Sequence, residues 1–394
     1  MPKSDCLKNL SLMSQAEVGN ALSFHKSFPQ YAQTPLISLP GLASFLGVKG
    51  IFIKDESFRF DLNAFKVLGG SFAIAKYIAK KLGKAIEELN YKALVSAEIK
   101  QKLGDITFYT ATDGNHGRGV AWAANKLGQK SAVYMPKGSS AIRLQNIKNE
   151  GAQATITDLN YDDTVRLANK KAAEDPNGVI VQDTAWEGYE EIPGWIMQGY
   201  GTMSLEAFMQ LKKAGYEQPT HIFVQAGVGS FAGSVAGYFA NIFPGKPPVT
   251  TVVEASAADC LYISNMEGRL VNRDGDLSTL MAGLSCGEAN TISWEILKNH
   301  AQFFVSAPDW VAARGMRILA APKKGDSSVI SGESGAVTTG LLFSLLQNTE
   351  YNCFREALGL NVDSVILLFS TEGDTDPEKY RSIVWDGEYP SGNI

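Results

Sequence analysis

The sequence predicts an α/β protein in which helices cover two open, mostly parallel, twisted sheets. Short apolar runs typical of buried strands alternate with helix-like segments, and this alternation favours parallel sheets with helices on both faces. The chain has 394 residues, 45% of them hydrophobic, which is enough for two domains and a large core. The strand-like runs are IFIKD from residue 51, ITFYTAT from 106, SAVYMP from 131, ATITDL from 154, VIVQDTA from 179, HIFVQAG from 221, VTTVVEAS from 249 and SVILLFST from 364.

Helix-like segments follow the first four of these runs. In chain order they read LNAFKVLGGSFAIAKYIAKKLG, HGRGVAWAANKLG, SSAIRLQNIKNEGA and YDDTVRLANKKAAEDP. The units in the first half of the chain predict a compact small domain, residues 81–215, inserted into a large domain made of residues 1–80 and 216–394. Ligands of open parallel sheets bind at the carboxyl ends of strands and between domains, so we expect a site near the turns TDGNHG and QAGVGS.

Composition and charge indicate a small molecule as the natural partner. The net charge is −5 and no block of like charge stands out, so nothing favours binding to nucleic acid or to an anionic membrane surface. No apolar run is long enough for a membrane span, and the first residues are too polar for a secretory signal. We therefore expect a cytoplasmic protein.

The cysteines and histidines do not indicate a metal site. Cys6, Cys260, Cys286 and Cys353 lie far apart in the sequence, which fits neither CxxC redox spacing nor zinc spacing. Buried thiols are the expectation, and a pairing of Cys260 with Cys286 stays open. The four histidines form neither an HExxH nor an HxH pattern, so no catalytic transition metal is expected.

A glycine-containing turn at residues 225–230 has the features of a phosphate site. It connects the end of a strand through Gly227 and Gly229 to a helix rich in small residues, where backbone N–H groups and the helix dipole attract an anion. The turn lacks the lysine of GxxxxGK[ST] and the spacing of GxGxxG, so neither a nucleoside triphosphate nor a dinucleotide is favoured. A tight connection between strand and helix is the alternative interpretation.

Lys66 is a candidate amine nucleophile. The sequence NAFKVLGG predicts that it lies just inside a helix capped by Asn63, with apolar neighbours on both sides. Desolvation and the positive end of the helix dipole would both lower the pKa of such an amine, which suits Schiff-base chemistry. The alternative is a surface lysine with a buried aliphatic stem.

Several segments follow one another in a distinctive order: KDES and NAFKVLGG, then TDGNHGRGVAWAA, then AGVGS. They resemble the pyridoxal-phosphate enzymes of the tryptophan-synthase β type, the fold type II group that includes threonine and serine dehydratases. TPLISLPGLASFLGV and SSAIRLQNIKNEGA fit the same pattern, so the resemblance covers nearly the whole chain. Within the group, residues 181–203 and 369–377 are similar to the diaminopropionate ammonia-lyase family.

The resemblance implies pyridoxal 5′-phosphate as the cofactor and assigns roles to individual residues. Lys66 would hold the cofactor as a Schiff base, and Asn115 would donate a hydrogen bond to its 3′-oxygen. The pyridine nitrogen would meet the hydroxyl of Ser370, with Thr371 as the second choice, and Glu333 would lie near the ring. The phosphate would be bound by Gly227, Val228, Gly229 and Ser230.

One departure from the dehydratases points to the substrate. Asp113 stands where dehydratases of the group have a small neutral residue, next to the turn that receives the substrate carboxylate. A carboxylate there suits a substrate with a second positive charge, and Asp183 supplies another acid at the end of a strand. Either aspartate could instead cap a helix or a turn. The substrate carboxylate would be held by Thr112 and the amides from Gly114 to His116.

The resemblance therefore predicts α,β-elimination of 2,3-diaminopropionate, in both D and L forms, to pyruvate and two molecules of ammonia. Lys66 would serve one face of the cofactor and Asp113 the other, while Asp183 would assist the departing β-amine. The alternatives are a serine or threonine dehydratase of the same fold and a cofactor-binding sensor without turnover. The resemblance also suggests a homodimer.

Overall fold

The computed structural model describes residues 9–391 of the chain. This part contains ten β-strands, which form one six-stranded and one four-stranded sheet. The strands are β1 (Leu36–Ser38), β2 (Gly50–Asp55), β3 (Thr107–Ala111), β4 (Lys130–Met135), β5 (Gln153–Ile156), β6 (Gly178–Ile180), β7 (His221–Gln225), β8 (Val249–Ala255), β9 (Phe303–Ala307) and β10 (Val365–Ser370).

The six-stranded sheet has the order β1-β2-β10-β7-β8-β9, and only its edge pair β1 and β2 is antiparallel. Strands β2, β7 and β10 are buried along their whole length, as expected for strands covered by helices on both faces. The register pairs Asp55 with Ser370, so the carboxyl ends of β2 and β10 lie side by side. This edge of the sheet is where ligands of parallel sheets bind.

The four-stranded sheet has the order β5-β4-β3-β6 and is parallel throughout. All four of its strands come from the predicted inserted segment. The predicted fold class, with two mostly parallel sheets covered by helices, is confirmed. All eight predicted strands are present, whereas β1 and β9 were not predicted.

At least one helix separates each pair of consecutive strands among the described residues. The α-helices within the described residues are Gln15–Lys26, Pro40–Leu46, Val67–Lys81, Tyr91–Leu94, Ala97–Leu103, Asn115–Lys126, Ala141–Asn149, Tyr161–Glu174, Glu191–Lys213, Ser230–Ile242, Cys260–Glu267, Thr291–His300, Asp309–Ala320, Glu333–Gln347, Asn352–Leu358 and Pro377–Val384. Short 3₁₀ helices cover Glu56–Asp61, Ile86–Glu88, Ala282–Leu284 and Thr349–Tyr351. Within the described residues, no helix is both long and apolar enough to span a membrane.

The longest helix, Glu191–Lys213, packs closely against Val67–Lys81 because glycine occupies the crossing point. A Cβ atom placed on Gly199 would lie 2.4 Å from the carbonyl oxygen of Leu68, and one on Gly69 would lie 2.5 Å from the Tyr200 ring. This contact fixes the helix that follows Lys66 against the helix that carries Tyr200, and both residues contribute to the site described next.

Candidate active site

A cavity opens at the carboxyl ends of β7 and β10, between the two sheets. It encloses about 560 Å³ of space, including its open mouth. Most of the predicted site residues line it, namely Lys66, Asn115, Asp183, Gly227, Val228, Gly229, Ser230 and Thr371. Asp113 and Glu333 line a wider adjoining cleft of about 1170 Å³.

Lys66 is paired with Asp183 in this cavity. Its Nζ atom lies 2.7 Å from Asp183 Oδ2, and both side chains are largely buried. Burial acts to lower the pKa of Lys66, but Asp183, Tyr200 and Asp113 together outweigh it and raise that pKa above its ordinary value. The predicted lowering of the Lys66 pKa is therefore wrong, because the amine has an ionic partner from a distant part of the chain. The carboxylate keeps the amine charged and fixes its direction.

The helix after Lys66 also begins later than predicted. Lys66 itself is the N-cap of Val67–Lys81, and Asn63 does not cap this helix. Asn63 has a left-handed backbone, with φ of 58°, and its side-chain amide donates to Asp374 Oδ1 at 3.0 Å. Residues 63–65 pair instead with the segment after β10, through Phe65 N–H to the Thr371 carbonyl at 3.0 Å. This pairing anchors the loop that presents Lys66.

Asp183 is held from several sides. Its backbone carbonyl accepts hydrogen bonds from the Ser230 hydroxyl and, at 3.1 Å, from the Asn290 amide. The Tyr200 hydroxyl donates to its Oδ2 at 3.5 Å. Burial opposes ionisation of Asp183, but Lys66, with a smaller contribution from His116, outweighs it and lowers the pKa of the carboxyl to about 2. Asp183 is thus an ionised, rigidly positioned acid beside the amine.

The turn before Ser230–Ile242 has the geometry of an anion site. Gly229, with φ of 97°, adopts the left-handed conformation that side chains disfavour. A Cβ atom there would lie 2.9 Å from Ser293 Oγ and 3.0 Å from Leu261 Cδ1, so only glycine fits. The turn forms part of the cavity wall at the start of a 13-residue helix, whose first N–H groups lack intrahelical acceptors. This cradle fits the phosphate of the predicted cofactor.

Side-chain contacts refine two of the predicted cofactor ligands. The Ser230 hydroxyl donates to Asp183, so Ser230 offers a phosphate its backbone N–H. At the end of β10, the Ser370 hydroxyl donates to the Glu372 carbonyl at 3.3 Å, whereas Thr371 lines the cavity. Thr371 Oγ1 accepts from the Gln225 amide at 2.8 Å, which leaves the threonine proton for an acceptor in the cavity. The geometry favours Thr371 over Ser370 for the pyridine nitrogen.

Asp113 belongs to a cluster of charges at the mouth of the cavity. Arg143 lies between two acids, with Nη1 at 3.5 Å from Asp113 Oδ2 and Nη2 at 2.8 Å from Glu333 Oε1. Among the described residues, Asp113 Oδ2 is buried and has no hydrogen-bond donor. This oxygen lies beside the Arg143 guanidinium but lacks a hydrogen bond, and an ammonium group of a ligand would donate one.

Two of the predicted substrate ligands use their side chains to build the turn. The Thr112 hydroxyl accepts from the Gly114 N–H at 2.9 Å. His116 is buried, and its Nε2–H donates to the Val181 carbonyl at 2.9 Å. Burial lowers the pKa of His116, so the ring is neutral. These side chains fix the loop that carries Asp113 and Asn115.

Tyr200, Glu372 and Arg143 are among the site residues that sequence reasoning missed. Tyr200 and Glu372 line the cavity, and Arg143 joins Asp113 to Glu333. Glu372 had a usable signal, because it directly follows the predicted cofactor ligand Thr371. Arg143 and Tyr200 had none, since their proximity depends on how helices from separate parts of the chain pack.

The described residues contain no group of three or more histidine, cysteine, aspartate or glutamate side chains arranged to hold a metal ion. Cys260, Cys286 and Cys353 are free thiols, and the first two are buried near the cavity. Cys6 lies outside the described residues. The pairing of Cys260 with Cys286 that the sequence left open is not formed.

Comparisons with known proteins agree with this geometry. Residues 28–351 match the family described as pyridoxal-phosphate dependent enzyme. The chain is 54% identical to diaminopropionate ammonia-lyase of Salmonella typhimurium over 381 residues, which cover 96% of this chain and 94% of the relative. It is 49% identical to the enzyme of the same name from Escherichia coli strain K12 over 378 residues, with the same coverage of both chains.

Solved structures give the same result. The crystal structure of diaminopropionate ammonia-lyase from Escherichia coli in complex with D-serine superposes with a TM-score of 0.91 and 48% identity, covering 96% of this chain and 94% of that one. The processed form of threonine deaminase isoform 2 from Solanum lycopersicum, at 19% identity and a TM-score of 0.70, shares the fold. The chain therefore belongs to the pyridoxal-phosphate dependent enzymes and, within them, to the family of the diaminopropionate ammonia-lyases.

Proposed function

We propose that this protein catalyses the α,β-elimination of 2,3-diaminopropionate, in both D and L forms, to pyruvate and two molecules of ammonia. The observation that carries this proposal is the pairing of Lys66 with Asp183 at 2.7 Å inside a cavity walled by the Gly229 turn. Two relatives named diaminopropionate ammonia-lyase, 54% and 49% identical over 96% of the chain, support the assignment.

The residues present fit pyridoxal 5′-phosphate. The Gly229 turn would bind the phosphate through backbone N–H groups, Lys66 would form the covalent bond, and Thr371 would donate to the pyridine nitrogen. Asn115 would donate to the 3′-oxygen of the ring. When bound, the cofactor supplies an electron sink for the substrate α-carbon. A neutral hydroxyl at the pyridine nitrogen makes that sink milder than a carboxylate would.

The three acid–base residues have separate tasks in this proposal. Lys66 would leave its covalent bond to the cofactor as a neutral amine and, in that form, would remove the α-proton of the L isomer from its own side. Asp183 stays beside it as a carboxylate and keeps the β-amino group of the substrate protonated, so that this group departs as neutral ammonia rather than as an amide ion, which is a very poor leaving group. Asp113 lies apart from that pair, at the mouth of the cavity, and serves as the base for the D isomer.

Charge supports a diamine substrate over an amino alcohol. Burial acts to lower the pKa of Lys66, whereas the negative charges of Asp183 and Asp113 both act to raise it, so both carboxylates contribute to a negative potential around this amine. A substrate ammonium is attracted by these two carboxylates, whereas the neutral hydroxyl of serine is not. A serine or threonine dehydratase activity is therefore the second candidate function. The complete set of Lys66, Asp113 and Asp183 likewise argues against a sensor without turnover.

An assay of pyruvate release tests the proposal. The purified protein, loaded with pyridoxal phosphate, should be yellow and should release pyruvate and two equivalents of ammonia from 2,3-diaminopropionate, with much lower kcat/KM for serine. Lys66→Ala should lose both the yellow band and turnover. Equal kcat/KM for serine and diaminopropionate would move the protein to the dehydratases, and a cofactor band without turnover of either would make it a sensor.

Three further assignments belong to this proposal. Residues 81–215 form the small domain, and residues 1–80 and 216–394 form the large one. This division is supported by the four-stranded sheet, because all four of its strands lie within residues 81–215. The protein is a cytoplasmic homodimer; free thiols at three cysteines fit a reducing compartment. Light scattering of the purified protein tests the dimer, and cell fractionation tests the compartment.

A further inference from the structure

Glu372 is a buried acid in the cavity that the proposed reaction does not use. It follows Thr371 at the end of β10 and is 2% exposed. One carboxylate oxygen, Oε2, accepts a hydrogen bond from Asn115 Nδ2, and among the described residues the other oxygen has no donor. Both Thr371 and Asn115 line the cavity, so Glu372 lies between two residues that contact the ring in the proposed function.

The fold holds Glu372 in place. The backbone carbonyl of Glu372 accepts from the Gly332 N–H at 2.9 Å and from the Ser370 hydroxyl at 3.3 Å. A Cβ atom on Gly332 would lie 2.8 Å from Glu372 Cγ, so glycine at this position leaves room for the side chain. Glu372 pairs through its backbone with Ala64, in the loop before Lys66, and its side chain presents a carboxylate to Asn115.

A carboxylate partner decides which way the Asn115 amide points. An ionised carboxylate only accepts hydrogen bonds, so it must face the NH₂ group of the amide. That group has two N–H bonds, and with one directed to Glu372 the other is available to the cavity. Without Glu372 the amide could rotate and present its oxygen, which would favour a protonated 3′-oxygen on the ring.

We propose that Glu372 is a positioning residue that orients the Asn115 amide, so that its second N–H donates to the 3′-oxygen of the bound cofactor and keeps that oxygen deprotonated. The inference rests on the proposed function, because it needs the cofactor in this cavity. It adds to that function a residue that controls the electronic state of the ring without touching the substrate.

The charges around Glu372 make this positioning dependent on pH. Burial, followed by the nearby Glu333, raises the pKa of Glu372 to about 7, with Arg143 opposing and Asp113 adding to the effect. A protonated Glu372 can donate a hydrogen bond to the amide oxygen of Asn115. The amide then presents its oxygen to Glu372, and its NH₂ group points away from Glu372. The absorption of the bound cofactor should therefore change with pH near neutrality. Removing the charge of Glu333 should lower the pKa of Glu372 and move that change to lower pH.

Absorbance spectra of the cofactor-loaded protein without substrate, recorded through the neutral pH range, test this inference. The wild-type spectrum should shift from a shorter-wavelength to the yellow band as pH rises, and Glu372→Gln should abolish that titration. Glu333→Gln is the matched control, since it removes one carboxylate from the same cluster without touching Asn115. It should keep the titration, displaced to lower pH. Loss of the titration in both variants, or in neither, would overturn the inference.

Cofactor affinity gives a second readout that does not depend on activity. Glu372→Gln and Asn115→Ala should each weaken the binding of pyridoxal phosphate about tenfold, the loss expected for one charge-assisted hydrogen bond. The double variant should be little weaker than either single one, because both act through one contact. Additive losses would contradict the inference. Thermal unfolding of each variant, stripped of cofactor, separates these effects from misfolding.

The outcomes also separate this inference from the proposed function. A wild-type protein that binds no pyridoxal phosphate would remove both. A wild-type protein that binds it and converts diaminopropionate, with Glu372→Gln titrating as the wild type does, would remove only the role of Glu372.

Discussion

Lys66 and Asp183 set each other's charge, although 117 positions separate them in the sequence. The local sequence around Lys66 predicted an amine with a lowered pKa, because only its apolar neighbours and the helix N-terminus are visible there. The residue itself was identified from its motif, but its charge state depends on a partner brought in by folding. Motifs reveal which residue types are present, whereas ion pairs between distant segments need the tertiary structure.

The first prediction concerns the acid stability of the protein stripped of its cofactor. The lowered pKa of Asp183, about 2 against the ordinary 3.8, means that this carboxylate stabilises the fold above its unfolded pKa. That stabilisation is lost as pH falls from about 4 to about 2. Asp183→Asn should therefore flatten the dependence of unfolding free energy on pH in this window, measured by denaturant titration. An unchanged dependence would show that the pair contributes nothing to stability.

The second prediction separates the two aspartates by substrate isomer. Asp113→Asn keeps the shape but removes the base, so turnover of D-diaminopropionate should fall at least about 100-fold, the usual contribution of a general base, while the L isomer loses much less. Asp183→Asn should impair both isomers, because both lose the same β-amine. Pyruvate release from each pure isomer measures this. Equal losses for both isomers in Asp113→Asn would make Asp113 a general ammonium-binding group.

At the scale of elements, the sequence predicted strands better than helix ends. Strands such as β10, predicted from an unbroken apolar run, are all present. The three-residue β1 was not predicted, nor was β9, although its run FFVSA is as long as the predicted run IFIKD. The helix start at Asn63 was wrong because that asparagine adopts a left-handed turn that pairs with the segment after β10. Such a start depends on a neighbouring segment that the local sequence does not reveal.

The third prediction tests the turn at Gly229 as an element of the site. Gly229→Val combines a left-handed backbone with a Cβ atom 2.9 Å from Ser293 Oγ, so the turn must move and its N–H groups with it. Pyridoxal phosphate should bind about 10- to 100-fold more weakly, as expected for the loss of charge-assisted hydrogen bonds. Gly245→Val is the control, since Gly245 also has positive φ but would place an added Cβ atom with no neighbour within 4 Å. Equal affinity in both variants would remove this turn from the site.

At the scale of the whole molecule, the site is assembled from segments spread over most of the chain. Lys66, Asn115, Asp183 and Thr371 come from four separate segments of the chain, and their meeting requires both sheets to face one cavity. The sequence predicted this meeting at the strand ends, from the general behaviour of parallel sheets. It did not predict that the helix Glu191–Lys213 would bring Tyr200 to Asp183. The sequence shows that this helix contains glycine, but it does not show which helix crosses it there.

The last prediction tests whether the close crossing of these two helices contributes both to the stability of the fold and to the activity of the site. A Cβ atom at Gly199 would lie 2.4 Å from the Leu68 carbonyl oxygen, a backbone atom that cannot rotate away, so Gly199→Ala must push two helices apart. Overpacking of this kind costs about 1–3 kcal/mol, and Gly199→Ala should lower the Tm accordingly. It should also reduce kcat/KM, because Lys66 precedes one helix and Tyr200 follows Gly199 in the other. Gly19→Ala is the matched control: Gly19 lies inside the helix Gln15–Lys26 with no atom within 4 Å of an added Cβ.

The control should therefore gain about 0.5–1 kcal/mol from the better helix propensity of alanine, with kcat/KM unchanged. Thermal unfolding and pyruvate release measured on the same preparations give both readouts. A Gly199→Ala protein as stable and active as Gly19→Ala would mean that the crossing can open without consequence, and that the position of Lys66 is fixed by its pairing with the segment after β10 instead.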